Sequence, residues 1–139
     1  FIRDPKEVLA SFSKVVEAPT LDDIAIKFQF DLASHFEEKG WDYLIFDAAT
    51  LTGNPEKALM RLCQSLGIEY SYKMTSWPKG PKTYDGVWSP FWYNNVHSST
   101  GFKSKAHFGE NPLPGPLKEV YETALPYYES LASRAMVLM

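Results

Sequence analysis

Arg3 and Ser11 are the residues whose chemistry stands out first. Phe1-Ile2-Arg3-Asp4-Pro5 puts a guanidinium at the end of an apolar stub, and Ser11 follows eight residues later. A guanidinium is a planar fork of donors that grips two phosphate oxygens, and a hydroxyl donates one more bond. A strand-to-helix turn adds backbone N–H groups and the positive end of the helix dipole. Together these features read as a phosphate site. At about 1.5 Å per residue, Ser11 lies roughly 10 Å along the helix from its start. An anion shared with Arg3 must therefore lie alongside the helix and not on its N-terminus. Arg-Asp-Pro is equally an ordinary way to begin a helix, and Ser11 borders an apolar face. Spacing alone leaves both readings open.

Other reactive side chains are scattered. His97 lies in an aromatic segment and is a general-base candidate, or a loop histidine bonded to nearby backbone. His35 and His107 are far apart in sequence, and with Cys63 as the single cysteine no metal-ligand spacing emerges. Cys63 shares a helical face with Leu59 and Leu66, which marks it as a core thiol. Trp77-Pro78-Lys79-Gly80-Pro81-Lys82 puts two lysines on a stiff turn, solvated or facing an anion. Trp88, Phe91, Trp92 and Tyr93 either wall a ligand pocket or cover the open end of a sheet. Asp22-Asp23 and Glu37-Glu38 are adjacent in sequence, so they read as helix-end and surface charge.

The elements that must position these groups follow from periodicity and caps. Asp4, Pro5 and Glu7 start a helix carrying Val8, Leu9, Phe12, Val15 and Val16, predicted to end near Glu17. Thr20 caps a second helix with a stripe at Leu21, Ile24, Ala25, Phe28, Leu32 and Phe36, widened by Ile26 and Phe30 and stopped at Gly40. Tyr43-Leu44-Ile45-Phe46 is a continuous apolar run of the kind buried on both faces of a parallel sheet. Asn54-Pro55-Glu56 starts a helix with Leu59, Leu62, Cys63 and Leu66 inside, ended by Gly67. Residues 69–115 hold Trp77, Trp88 and Trp92 without sustained periodicity, as lids and binding loops do. Leu117, Val120, Tyr121, Ala124 and Leu125 restart a helix that Pro126 should kink or restart, and Tyr128, Leu131 and Met136 carry it on. This order predicts an α/β fold with a mostly parallel sheet. One strand and a stub are too little sheet, so further strands are expected upstream of Phe1 or on another chain.

Bulk properties narrow the function. A chain of 139 residues supports one domain. A net charge of −3 argues against a general nucleic-acid binder, while leaving room for a local anion pocket. No apolar run reaches the roughly 18 residues of a membrane span, and no signal-peptide pattern opens the chain. A lone cysteine fits a reducing, cytoplasmic compartment.

Phe1 to Pro5, continued through Ser11, resembles the 3′-phosphate-binding motif of the sulfotransferases. Leu51 to Ile68, with Asn54-Pro55-Glu56 and Leu66-Gly67-Ile68, is similar to the strand–loop–helix that follows in that family. Leu125-Pro126-Tyr127-Tyr128-Glu129-Ser130-Leu131 is similar to the terminal helix of many bacterial-type members. Gly86 to Tyr93 and Val96 to Phe102 resemble a branch associated with aminotransferase-like proteins. The resemblance implies the C-terminal half of a three-layer P-loop-type α/β domain. Residues 1–68 would form its nucleotide-binding part, 69–115 its aromatic segment and 116–139 its terminal helix. It implies 3′-phosphoadenosine 5′-phosphosulfate (PAPS) as sulfuryl donor, a hydroxyl or amine of a small molecule or glycan as acceptor, and no metal. Arg3 and Ser11 would hold the 3′-phosphate, with Ser99, Thr100 and Gly101 near a late cofactor loop. That loop lacks the family's basic Arg-Lys-Gly, and Ala48-Ala49-Thr50 stands where the animal enzymes carry Tyr-Glu-Asp. The sulfate-binding P-loop and the catalytic base are expected upstream of Phe1, so these residues alone should not catalyse transfer. A non-catalytic nucleotide-binding module and a plain α/β interaction domain remain as alternatives.

Overall fold

A computed structural model describes residues 1–102 and 113–138. His107 lies outside them. The chain forms two compact units, residues 1–50 with 105–139, and residues 51–104.

The first unit is built from α1 (Pro5–Phe12), α2 (Leu21–Ile24), α3 (Ile26–Lys39) and, after the chain returns, α8 (Gly115–Ala132). Asp4 caps α1 by accepting the Lys6 N–H at 2.8 Å, with Pro5 at the first helical position, where a missing N–H costs nothing. The helix ends five residues before the position predicted. Lys14, Val15 and Val16 instead make turn bonds back to Ser11 and Phe12, as two successive β-branched residues favour.

The second predicted helix is two. Thr20 and Asp23 form a reciprocal capping box, and the helix breaks at Ala25, which adopts the left-handed conformation (φ 57°, ψ 9°). Ile24 and Ile26 are both buried. On one continuous helix they would point about 200° apart, so the break lets both reach the core. It also turns the register of α3. Ile26 and Ala33 are buried and Phe30 half-buried, whereas Phe28 and Leu32 of the expected stripe are exposed. Gly40 (φ 65°) ends α3 as its position predicts.

The mostly parallel sheet is not present. Among the described residues the apolar run 43–46 is extended but makes only a parallel bridge, Ile2 with Asp47, through Ile2 N–H to Phe46 O and Ala48 N–H to Ile2 O, both 2.9 Å. A continuous apolar run reports burial, and burial does not specify what does the covering. Here Ile2, Ile45, Leu9, Ile24, Ile26 and the α8 residues Leu117, Ala124 and Leu131 share one core, in which α8 packs on α1, α2 and α3. Helices take the place that neighbouring strands were expected to fill. α8 runs through Pro126, and beyond it Met136 donates its N–H to Ile45 O.

The chain crosses into the second unit within α4 (Ala48–Gly53). That unit contains α5 (Pro55–Leu66), a 3-10 helix (Tyr72–Thr75), α6 (Ser89–Trp92) and α7 (Asn94–His97). Asn54 caps α5 and Gly67 (φ 66°) ends it. Cys63 is buried as expected, 3.8 Å from the Met74 sulfur, while Leu66 is exposed. Within residues 69–102, hydrogen bonds tie together the segment predicted to be irregular. Ser76 bridges Gly101, Trp77 N–H donates to Thr100 O (3.0 Å), and Gly80 N–H to His97 O (2.8 Å).

Candidate functional site

Arg3, Glu7 and Ser11 recur at four-residue intervals along α1 and its approach. Four residues is about one helical turn, so Glu7 and Ser11 share a face of α1, while Arg3 precedes the Asp4 cap and is tied to Glu7 by its side chain. The buried Pro5 and Leu9 occupy the opposite face and fix that orientation. Arg3 Nε donates to Glu7 Oε2 at 3.0 Å, with side-chain exposures of 38% and 17%. Ser11 is exposed. The Arg3 guanidinium reaches forward to Glu7 from before the helix, and Ser11 stands one turn beyond Glu7.

A second polar cluster lies next to this ridge in the first unit. Asp47 is only 8% exposed. Its Oδ1 accepts the Ala49 N–H at 2.7 Å and its Oδ2 accepts the Tyr128 hydroxyl at 2.7 Å. Burial, and then the bond to Asp47, push the Tyr128 hydroxyl well above the ordinary tyrosine value. Asp4 and Glu7 add to this from α1. The same unit has an apolar hollow of about 110 Å³, bordered by Phe1, Ile2, Leu32, Phe36 and Leu44. It is lined by greasy side chains and suits no charged ligand.

In the second unit, Ser99, Thr100 and Gly101 close a loop. Ser99 Oγ accepts the Trp77 indole N–H at 3.0 Å and donates to Val96 O at 2.7 Å. At Gly101 an added Cβ would lie 3.0 Å from Thr75 O, so the close backbone approach leaves little room for a side chain. His97 Nε2 lies 2.8 Å from Asp85 Oδ2. The Lys82 amide, more than His97, holds the Asp85 carboxyl below its ordinary value. An ionised carboxylate has no proton to give, so Nε2 carries the one between them. Lys82 Nζ is bonded to Pro78 O within its own turn. Tyr84, Trp88 and Phe91 are exposed.

Glu7, Asp47 and Asp85 hold polar partners that sequence reasoning missed. Glu7 was legible, because it stands four residues from each predicted ligand. Asp47 and Asp85 act through partners 81 and 12 residues away, a separation that no local pattern encodes. Among the described residues no group of three His, Cys, Asp or Glu side chains could hold a metal ion. No described helix is long and apolar enough to cross a membrane.

The sulfotransferase domain family model matches residues 1–135. The chain belongs to that family. It is 36% identical over 134 residues to branched-chain-amino-acid aminotransferase-like protein 1 of Arabidopsis thaliana, covering 95% of this chain and 23% of that protein. It is 33% identical over 132 residues to the like-named protein 2 of the same plant, covering 94% and 23%. The chain thus spans about a quarter of the length of these relatives. No solved structure matches it.

Proposed function

We propose that this chain is the nucleotide-binding part of a PAPS-dependent sulfotransferase, in which Arg3 and Ser11 hold the donor's 3′-phosphate. The observation that carries this reading is an Arg3 guanidinium held by Glu7 (3.0 Å) at the start of α1, with Ser11 one turn beyond Glu7 on that helix, in a chain of this family. The guanidinium supplies charge-assisted donors and Ser11 a directional one. Binding energy gathered at the 3′-phosphate, remote from the reacting sulfur, fixes the donor for in-line attack by an acceptor hydroxyl or amine. The acceptor's proton passes to a base, its oxygen or nitrogen bonds to sulfur, and adenosine 3′,5′-bisphosphate leaves.

A second reading is a nucleotide-binding domain without transfer, carried in a larger protein. The relatives' names, which describe them as aminotransferase-like, and the 23% share of their length favour it. Isothermal titration of the full-length protein tests the shared claim. Arg3→Ala should weaken adenosine 3′,5′-bisphosphate roughly 10- to 100-fold, the worth of a hydrogen bond to a charged group, and leave adenosine 5′-phosphate nearly unchanged. Equal losses for both nucleotides would refute the 3′-phosphate role. Transfer of label from sulfur-35 PAPS to acceptor pools separates the enzyme from the binding module.

A further inference from the structure

We propose that Glu7 is the resident counter-anion of the Arg3 site, competing with the incoming phosphate and setting the affinity of that site. This rests on the phosphate reading of Arg3 and Ser11 above. Three observations lead to it. The Glu7 carboxylate accepts the Arg3 guanidinium at 3.0 Å. Its side chain is less exposed than that of Arg3, 17% against 38%, so it holds the guanidinium from the inner side of the ridge. It also stands midway between the two phosphate ligands, four residues from each. In that reading an anion bound by both has a carboxylate between its two ligands in the chain. The site is thereby partly self-neutralised, which lowers the attraction of Arg3 for anions in general. A ligand has to bring the Ser11 bond and the rest of its own contacts to win. Glu7 thus trades affinity for selectivity, discouraging simple phosphate and sulfate more than a nucleotide anchored elsewhere.

The test is Glu7→Gln in the full-length protein, an isosteric change that removes the charge and suits a third helical position. A like unit charge about 6 Å from a phosphate, at a surface dielectric between about 40 and 80, is worth roughly three- to tenfold in affinity. Titration should show adenosine 3′,5′-bisphosphate binding Glu7→Gln tighter by that factor and inorganic phosphate gaining at least as much. Adenosine 5′-phosphate should be unchanged, which also reports an intact fold. The gain should vanish in Arg3→Ala/Glu7→Gln. Unchanged or weaker binding in Glu7→Gln, with Arg3→Ala still selective for the 3′-phosphate, would overturn the role of Glu7 and leave the phosphate site standing. Loss of that selectivity in the Arg3→Ala control would instead overturn the site itself.

Discussion

Replacing Tyr128 with Phe tests whether the terminal helix is fastened to the strand end by one buried bond. The ring is kept, so packing changes little. What is lost is a 2.7 Å hydroxyl-to-carboxylate bond to Asp47, which is 8% exposed and keeps only the Ala49 amide among its bonds described above. A hydrogen bond to a charged group contributes about 1.5–3 kcal/mol, and the half-buried position of the hydroxyl brings the expected loss to about 1–2 kcal/mol. Unfolding entropy of about 2.1 cal/mol/K per residue converts this to a fall of roughly 3–7 °C in Tm for a domain of this size. The pH dependence gives an independent reading. The folded state holds the Tyr128 proton more tightly than the unfolded chain does. The stability this contributes is complete below the ordinary tyrosine value of 10.0 and is lost as pH rises beyond it. Urea unfolding followed by fluorescence from pH 7 to 11 should show a steeper alkaline decline for wild type than for Tyr128→Phe. A loss below about 0.5 kcal/mol, or alkaline limbs of equal slope, would refute the fastening.

Three further outcomes are expected. Ala25→Gly should raise stability by about 0.5–1 kcal/mol with an unchanged m-value, because relief of a left-handed alanine (about 1–2 kcal/mol) outweighs the added freedom of the unfolded glycine (about 0.5–1). Gly101→Ala should cost roughly 1–2 kcal/mol, since its Cβ would press on the Thr75 carbonyl at 3.0 Å, and should speed exchange of the Trp77 amide bonded to Thr100. Glu37 is held below its ordinary carboxyl value of 4.5 first by the Tyr43 hydroxyl and then by Arg134. Its contribution is therefore present above that pH and lost as pH falls below it, and Arg134→Ala should flatten the acid limb of stability, most visibly at low salt.

Local chemistry was legible in the sequence and layering was not. The caps at Asp4, Thr20 and Asn54 and the stops at Gly40 and Gly67 work through neighbours within a few residues, so residue type alone places them. The break at Ala25 escaped because an apolar stripe predicts one helix, and only the need to bury both Ile24 and Ile26 divides it. The sheet was misjudged for a similar reason. Within the run Ile45 and Phe46 are buried while Leu44 is exposed, and α3 and α8 share a core with Ile45 where strands were expected. Glu7, which holds Arg3, was passed over as a helix-start residue. Asp47 gains its role from Tyr128, 81 residues away, which spacing cannot reveal.

The central claim is that Arg3 and Ser11 act on the same phosphate. A double-mutant cycle on adenosine 3′,5′-bisphosphate affinity, with Arg3→Ala, Ser11→Ala and the pair, measures that directly. Two groups on one anion should couple by at least about 0.5 kcal/mol, the double mutant losing less than the sum of the singles. Losses that add to within about 0.3 kcal/mol would place the two side chains on separate tasks and contradict the site.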